Sequence, residues 1–299
     1  MRITVTGATG YVGSQLVPQL VARGDDVTVL SRDARRARDR LGVPAVAWDP
    51  TREPAPVEAL EGRDVVVHLA GEAVSQRWND AVRAKIRDSR EVGTNRLVEG
   101  MAAAEDRPRL VCASACAFYG PHGTEVVDES SPAGRDWLAD VCVRWERAAD
   151  GAAQLGVGVV KVRTGIALDA QYGVLESMLL PFKLGVGGPL AGGRQYVPWI
   201  HRADLIGMYV AIIDAPDFSG PVNASAPLPV TNREFSKALG RALHRPAVVP
   251  VPGLTAKLMV GDVAKYAITG VRMVPGRADE LNYVFRYPEI DAAMADVLA

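Results

Sequence analysis

The chain has 299 residues, of which 48% are hydrophobic and 23% charged, and its formal net charge is −1. This composition is typical of a globular protein and excludes disordered and fibrous classes. A nearly neutral chain lacks the positive electrostatic field that attracts nucleic acids and anionic membranes, so we expect neither as a partner. The sequence has no apolar leader and no stretch of ~20 apolar residues, which favours a cytoplasmic protein without a membrane span.

The first half of the chain alternates between predicted strands and predicted helices. The strands are predicted at 2–6, 27–31, 43–48, 64–70, 109–115 and 157–163, and the helices at 11–23, 33–41, 80–104 and 138–155. Segment 64–70 is an almost unbroken apolar run, which is typical of a strand covered on both faces. This alternation predicts an α/β fold, a Rossmann-type doubly wound parallel sheet.

The pattern changes after residue 164. Residues 185–199 contain five glycines and two prolines, which favours loops over a site. A helix follows at 231–243, with Asn232 as its predicted N-cap. We therefore expect a dinucleotide-binding Rossmann domain over residues 1–164 and a smaller C-terminal α+β lobe over 165–299, with some segments returning to the core.

The glycines Gly7, Gly10 and Gly13 have the spacing G-x-x-G-x-x-G between the first strand and the first helix. Gly7 permits a sharp turn, Gly10 a close approach of the backbone to a pyrophosphate, and Gly13 close packing of the helix. The context of strand and helix makes this a dinucleotide-binding motif. The predicted contacts in this loop are Gly7, Thr9, Gly10, Tyr11, Val12 and Gly13.

The end of the second strand indicates which dinucleotide is bound. NAD-binding proteins usually place an acidic side chain there, against the ribose 2′-hydroxyl. Here Ser31 and Arg32 are followed by Arg35 and Arg36, and a guanidinium pairs well with a 2′-phosphate. We therefore predict NADP(H), held by Ser31, Arg32 and Arg36. A solvated helix face is the alternative for Arg35 and Arg36.

The three cysteines, Cys112, Cys116 and Cys142, do not form an even set, so we expect free thiols. Their spacing does not match a common zinc motif, and the four histidines are scattered, so no metal is expected.

Eight segments of the chain together resemble a known family. They are TGATGYVG (6–13), HLAGE (68–72), SREVGTNRLVE (89–99), SACAFYG (114–120), WLADVCVRWE (137–146), VRTGIALD (162–169), GGRQYVPWIHRADL (192–205) and TNREFSKALGRALHRPAVVPVP (231–252). The sequence resembles the extended, epimerase-like branch of the short-chain dehydrogenase/reductases, and within it an atypical epimerase-like family once described as cell-division inhibitors. The resemblance implies a Rossmann core, an NADP-type cofactor and a small C-terminal lobe. It also places Leu69, Ala70, Gly71 and Glu72 beside the cofactor, although Glu72 could instead contact substrate or cap a loop.

The resemblance fails at the residues that carry the chemistry. Most members of the superfamily use a Tyr-x-x-x-Lys pair, in which the lysine lowers the pKa of the tyrosine. When Glu146 is matched to the glutamate that often follows this pair, Cys142 occupies the lysine position and Leu138 the tyrosine position. Neither side chain can perform these roles, so cofactor binding does not by itself predict the usual catalysis.

Three other residues are candidates for proton transfer or substrate orientation. Ser114 occupies the position of the superfamily's catalytic serine or threonine, Tyr119 is the nearest phenol, and His201 titrates in a useful range. Two of them have a structural alternative: Tyr119 packs its loop, and His201 together with Asp204 fixes a loop to the sheet.

Arg194, Gln195 and Trp199 are the predicted substrate contacts. Arginine and glutamine beside aromatic faces suit an anionic or sugar-like ligand. A surface loop with buried aromatics is the alternative.

Two functions remain open. One is an NADP(H)-dependent oxidoreductase or epimerase acting on a small polar, sugar-like or carbonyl substrate, and the other is an NADP(H)-binding sensor that has lost the chemistry. The chain is expected to be a monomer or a homodimer. The resemblance to extended family members implies that helices 80–104 and 138–155 pair in a four-helix dimer, but Arg83, Lys85, Arg87 and Arg90 make that face basic.

Overall fold

The computed structural model describes residues 1–254, 261 and 264–299. Its main sheet has seven strands: β1 (Arg2–Thr6), β2 (Asp26–Ser31), β3 (Ala45–Ala47), β4 (Val65–His68), β5 (Arg109–Ala115), β7 (Val159–Thr164) and β11 (Gly220–Ala224). They lie in the order β11-β7-β5-β4-β1-β2-β3, and all neighbours are parallel. The chain runs outward from β1 to β3 and then crosses back to β4. The carboxyl ends of β1 and β4 therefore border the crevice in which such sheets bind ligands.

Helices cover both faces of the sheet. One face carries α1 (Gly13–Ala22), α2 (Ala34–Leu41) and α6 (Arg202–Asp214), and the other carries α3 (Asp80–Ala103) and α4 (Trp137–Asp150). On β4, Val65 and Val67 pack into the first layer and Val66 into the second. Burial on both faces explains the apolar run in the sequence, and the predicted doubly wound α/β fold is confirmed.

Two elements that follow residue 164, α6 and β11, lie within this layered core. Arg109 on β5 ties the end of α6 to the sheet. Its guanidinium donates to the carbonyl oxygens of Ile212, Ala215 and Phe218 at 3.1, 2.7 and 3.0 Å.

The remaining elements form the predicted smaller C-terminal lobe and its connections. The helices are α5 (Gly173–Lys183), α7 (Asn232–Ala242), α8 (Ala264–Thr269) and α9 (Ile290–Val297). Short strands pair as β8 (Ile166–Leu168) with β10 (Trp199–His201), β9 (Tyr196–Val197) with β12 (Val230–Thr231), and β6 (Val126–Val127) with β13 (Arg272–Met273). The lobe has its own core, which includes Phe182, Trp199, Phe235 and Met294.

The structure corrects two local predictions. The N-cap of α7 is Thr231 and not Asn232, because Thr231 and Glu234 form a reciprocal capping box. The amide oxygen of Asn232 instead accepts from the Leu190 N–H at 2.8 Å. The glycine-rich segment 185–199 is also not all loop, since it contains β9 and the start of β10.

Candidate cofactor site

The glycine loop between β1 and α1 is closely packed. Gly7 has a φ of +65°, and a Cβ there would lie 2.6 Å from the carbonyl carbon of Leu69. A Cβ on Gly13 would lie 2.5 Å from the Cα of Ala8. Both distances are far below a normal contact, so any larger residue would push α1 or β4 away from the loop. Gly10 is more open, with only the Gly7 carbonyl oxygen near its missing Cβ, at 3.1 Å.

A cavity of about 450 Å³ opens at the carboxyl ends of β1, β2 and β4. Its size is in the usual range for a small-ligand site. Ten of the predicted cofactor contacts line it, namely Gly7, Thr9, Gly10, Ser31, Arg32, Arg36, Leu69, Ala70, Gly71 and Glu72. The other three lie outside the lining. The Tyr11 ring packs against the Tyr172 ring at a tilt, with the centroids 5.2 Å apart, Val12 precedes the first turn of α1, and Gly13 packs on Ala8.

One wall of the cavity is strongly cationic. Arg32, Arg36 and Arg40 line it at intervals of four residues, from the end of β2 along α2. Arg40 also donates from Nη1 to the Thr9 carbonyl oxygen at 3.1 Å, which ties α2 to the glycine loop. Asp33 beside them accepts the Arg36 N–H at 2.9 Å and so serves as the N-cap of α2. Arg40 was not predicted, although its helical spacing from Arg36 was a usable signal.

A buried hydrogen-bonded chain fixes the end of β4 under the cavity. The Ala70 N–H donates to Thr6 Oγ1 at 3.3 Å, Thr6 Oγ1 lies 2.7 Å from His68 Nδ1, and His68 Nε2 lies 3.1 Å from Thr94 Oγ1. Burial lowers the pKa of His68 to about 4. The ring is therefore neutral near pH 7 and acts as a structural link between β1, β4 and α3.

Arg90 on α3 supports the loop that follows β4. Its Nη1 donates to the carbonyl oxygens of Glu72 at 2.9 Å and Ile86 at 3.1 Å, and its guanidinium lies 4.9 Å from the Trp145 ring centroid. A Cβ on Gly71 would lie 3.3 Å from this guanidinium. The sequence suggested Arg90 only as part of a basic helix face, whereas the structure places it against the cofactor loop.

Two of the catalytic candidates, Ser114 and Tyr119, share one buried polar network. Ser114 Oγ donates to Glu146 Oε1 at 2.7 Å, and Arg163 binds both Glu146 oxygens at 2.8 and 2.9 Å. Arg163 Nη1 also donates to the Tyr119 oxygen at 3.0 Å, and the Tyr119 hydroxyl donates to Asn223 at 2.6 Å. Burial raises the pKa of Tyr119 to about 12. Arg163, which joins the two candidates, was not singled out from the sequence.

The third candidate, His201, lies in the C-terminal lobe. Its Nδ1 accepts the Ala203 N–H at 3.1 Å at the start of α6, and its Nε2 lies 3.0 Å from Asp296 Oδ2 on α9. Because Nδ1 accepts, a neutral ring carries its proton on Nε2 and donates it to Asp296. Burial lowers the pKa of His201. Nearby, Asp204 accepts the N–H groups of Arg286 and Tyr287. These contacts fit the alternative in which His201 and Asp204 fix a loop.

The predicted substrate contacts are not brought together on one surface. Arg194 is exposed, whereas Gln195 is buried and its amide donates to the carbonyl oxygens of Leu190 and Ala267 at 3.0 and 3.1 Å. Trp199 is 1% exposed and belongs to the core of the lobe. The lobe buries two of the three side chains because β9 and β10 are packed inside it.

The start of α4 has an unexpected neighbour. Asp136 caps the helix by accepting the N–H groups of Leu138 and Ala139 at 3.0 and 3.1 Å. Tyr266, from α8, donates to the same carboxylate oxygen at 2.6 Å, and its oxygen also accepts from Leu138 N at 3.3 Å. A phenol thus lies beside the backbone of the residue that stands in the superfamily's tyrosine position. No local pattern indicates a contact across 130 residues.

The cysteines are free thiols, as expected. Burial raises the pKa of Cys142 to about 12, so it supplies no charge at the position of the missing lysine. Within residues 1–254, 261 and 264–299, no three His, Cys, Asp or Glu side chains could together hold a metal ion. In the same part of the chain, no helix is both long and apolar enough to cross a membrane.

A parallel sheet in this strand order, with a glycine loop and a cavity at the β1/β4 crevice, defines a Rossmann-type dinucleotide-binding protein. Comparisons with known proteins narrow this class. Residues 3–136 match the model of the NAD dependent epimerase/dehydratase family, and residues 251–297 match a domain of unknown function, DUF1731.

The chain is 35% identical over 304 residues to the chloroplastic homolog of epimerase family protein SDR39U1 from Arabidopsis thaliana, covering 100% of this chain and 87% of the relative. The crystal structure of human SDR39U1 with NADPH superposes on this chain with a TM-score of 0.88 and a sequence identity of 32%. The match covers 100% of this chain and 99% of the human one. A nucleoside-diphosphate sugar epimerase from Corynebacterium glutamicum is 34% identical with a TM-score of 0.79, over 100% of this chain and 58% of that one.

The chain belongs to the epimerase family that includes SDR39U1, and the predicted resemblance to extended, epimerase-like proteins is confirmed. The plant relative is named chloroplastic, so the cytoplasmic location stays a prediction.

Proposed function

We propose that the protein binds NADP(H) and acts as an epimerase-like oxidoreductase on a small polar substrate, either sugar-like or carbonyl-containing. The cationic wall of the cavity carries this proposal. Arg32, Arg36 and Arg40 line it, and the adjacent carboxylate of Asp33 caps α2. This charge suits the 2′-phosphate that distinguishes NADP from NAD. The NADPH in the human relative's structure supports the same cofactor.

The glycine loop and the ends of β2 and β4 would hold the cofactor. Backbone N–H groups at the start of α1 suit the pyrophosphate, and Gly10 leaves room for it. Ser31, Arg32 and Arg36 would hold the ribose phosphate, while Leu69 to Glu72 border the path toward the nicotinamide. The cofactor would supply or accept a hydride at C4 of its nicotinamide ring.

The proton side of the reaction has to proceed without the Tyr–Lys pair. We propose that Ser114 orients the hydroxyl form of the substrate by accepting a hydrogen bond from it, since the serine's own proton is donated to Glu146. For Tyr119 or His201 to carry a proton, the present hydrogen bond to Asn223 or Asp296 has to open. These contacts favour a water molecule as the proton carrier.

A cofactor-binding sensor without turnover is the second candidate. It is favoured by one observation: the positions of the catalytic tyrosine and lysine are taken by buried Leu138 and by Cys142, a thiol that stays protonated. The oligomeric state, monomer or homodimer, stays a prediction under either function.

The cofactor proposal is tested by measuring the Kd of NADPH and of NADH by fluorescence titration. In Arg32→Ala, NADPH should bind roughly 10- to 100-fold more weakly, because a charge-assisted contact is lost, while NADH should be unaffected. Arg35→Ala is the matched control, since Arg35 lies close by in the first turn of α2 but outside the cavity lining. Equal affinity of the wild-type protein for the two cofactors would contradict the proposal.

Stopped-flow oxidation of bound NADPH separates the enzyme from the sensor. The protein is mixed with a panel of sugars, sugar nucleotides and carbonyl compounds, and the loss of nicotinamide absorbance is followed. Oxidation with at least one compound supports the enzyme. Intact NADPH binding with no oxidation by any compound supports the sensor.

A further inference from the structure

Arg90 lies between the loop that follows β4 and the helix position of the missing lysine. On one side its guanidinium packs against Gly71, whose Cβ would lie 3.3 Å from the guanidinium carbon. On the other side is α4, where the Trp145 ring centroid is 4.9 Å away. Cys142 lies about one turn before Trp145. Burial raises the pKa of Cys142, and the Arg90 charge opposes that effect, so this cation of α3 acts at the lysine position.

The charge of Arg90 is held by neutral groups. Its Nη1 donates to the carbonyl oxygens of Glu72 and Ile86 at 2.9 and 3.1 Å, and the Trp145 ring stabilises the cation. Among the described residues, no carboxylate forms an ion pair with Arg90. The Glu72 carboxylate acts on it only through its charge, and accepts a hydrogen bond from Gln76 at 3.2 Å. Because Arg90 is partly buried, water screens its charge incompletely.

Arg90 lies at the β4 side of the cofactor cavity. Gly71, Glu72 and Ser89 line the cavity there, and Arg90 contacts the first two. In the sheet, β1 separates β4 from β2, the strand that leads into the arginine wall. A dinucleotide with its 2′-phosphate on that wall and its pyrophosphate on the glycine loop therefore extends its nicotinamide half toward β4 and Arg90.

The two oxidation states of the cofactor differ in charge at this end. The nicotinamide ring is neutral in NADPH and positively charged in NADP+, whereas the phosphate groups are the same in both. A cation beside the nicotinamide half attracts the phosphates of both forms equally and repels only the oxidised ring. The ratio of the two Kd values therefore reports the charge beside the ring, because contacts common to both forms cancel.

We propose that Arg90 makes the protein selective for the reduced cofactor, NADPH, through its unpaired charge at the nicotinamide end of the cavity. This inference rests on the proposed function and specifies the oxidation state that the protein retains. It favours reduction of a carbonyl substrate: the carbonyl carbon takes a hydride from C4 of the nicotinamide, its oxygen takes a proton from water, and the NADP+ that is formed is released. An epimerase, by contrast, has to retain both oxidation states through one turnover.

The test is the ratio of the Kd of NADP+ to the Kd of NADPH in the full-length protein. Fluorescence titration gives the Kd of NADPH, and displacement of bound NADPH gives the Kd of NADP+. We expect the wild-type protein to bind NADPH roughly 10-fold more tightly, and Arg90→Gln to bring the ratio close to one. Arg90→Lys keeps the charge and should keep most of the ratio, although it loses the fork. Glu72→Gln removes an opposing charge and should raise the ratio.

Arg87→Gln is the matched control. Arg87 is an exposed cation on the same helix, paired with Asp88 at 2.9 Å, and its loss should leave the ratio unchanged. If Arg90→Gln weakens the binding of both forms equally, Arg90 only supports the loop and the selectivity is overturned. A ratio that falls as far in Arg90→Lys as in Arg90→Gln overturns it as well. Circular dichroism verifies folding. If Arg90→Gln does not fold, Glu72→Gln decides, and an unchanged ratio in that variant overturns the inference.

The wild-type measurements separate this inference from the proposed function. If NADPH and NADP+ bind equally well, the selectivity is wrong and the cofactor proposal stands. If neither form binds, the proposed function is wrong.

Discussion

Tyr266 donates a hydrogen bond to Asp136 Oδ1 at 2.6 Å, although the two residues are 130 positions apart in the sequence. The same carboxylate oxygen accepts the N–H groups of Leu138 and Ala139. The C-terminal segment is thereby fastened to the first turn of α4, the helix that carries the altered catalytic positions. The pKa of Tyr266 is raised mainly by burial and also by the hydrogen bond to Asp136, so its phenol keeps its proton and remains a donor.

A double-mutant cycle measures this attachment. Tyr266→Phe should lower the free energy of unfolding by about 1–2 kcal/mol, because a charged acceptor loses its phenol donor. Asp136→Ala should cost about 1–2 kcal/mol through the lost helix cap. The double variant should lose less than the sum, by about 1 kcal/mol, in urea denaturation. Tyr172→Phe is the control, because it removes the same hydroxyl group from a half-exposed ring. Strictly additive losses of unfolding free energy would show that Tyr266 and Asp136 do not interact.

Gly13 should not tolerate alanine. A Cβ there would lie 2.5 Å from the Ala8 Cα, so the start of α1 has to move away from the loop. Such overpacking costs about 1–3 kcal/mol, and we expect Gly13→Ala also to weaken NADPH binding. Gly158→Ala is the matched control, since its nearest neighbour would be 4.0 Å away. Thermal unfolding and the NADPH Kd are the measurements, and a Gly13→Ala protein that behaves like Gly158→Ala would refute the packing argument.

The Arg163–Glu146 pair should be sensitive to the loss of either charge. Both side chains are nearly inaccessible, with relative exposures of 5% and 7%. Glu146→Gln leaves the buried guanidinium without a counter-charge, which typically costs about 3–5 kcal/mol. Asp140→Asn removes one of the two carboxylate partners of Arg144, an exposed residue on the same helix, and should have no measurable effect. Equal unfolding free energies for the two variants would mean that burial does not matter to the Glu146 pair.

His68 should make the fold less stable in acid. Its pKa is about 4 in the folded protein, lowered by burial from 6.5. The unfolded chain therefore binds the proton first as the pH falls. The contribution of neutral, buried His68 to the free energy of unfolding is therefore complete above pH 6.5 and is lost between pH 6.5 and pH 4. The pKa difference corresponds to about 3 kcal/mol.

The pH dependence is measured by urea denaturation at several pH values in this window. His68→Asn should flatten the slope between pH 6.5 and pH 4 relative to the wild-type protein, whatever its effect on absolute stability. An unchanged slope would show that His68 does not titrate as its burial implies.

The fold and the cofactor loop could be predicted from local sequence. The predicted strands of the sheet each correspond to an observed strand, because the apolar run of each strand and the following helical period are local patterns. The arginines at the end of β2 were recognised from their position alone. Arg40 was missed even though the i, i+4 spacing from Arg36 places both on one helix face.

The polar networks could not be predicted in this way. Ser114, Tyr119 and Glu146 were identified singly, but Arg163 joins them from β7, and the sequence of that strand does not indicate which side chains Arg163 meets. Gln195 directly follows Arg194, and Trp199 comes a few positions later in the sequence. Both are nevertheless buried, because β9 and β10 pack into the lobe.

The sequence by itself determined the Rossmann sheet and the glycine loop that surrounds the cofactor cavity, since strand period, helix period and glycine spacing act over a few residues. Tertiary structure decided which polar side chains meet: Tyr266 with Asp136, Arg163 with Glu146, and Arg272 with Tyr196. These partners are 17 to 130 residues apart in the chain. Their contacts depend on how β13 and α8 close over the β5–α4 connection and on how α4 packs on β7, and no local pattern in the sequence encodes such long-range packing.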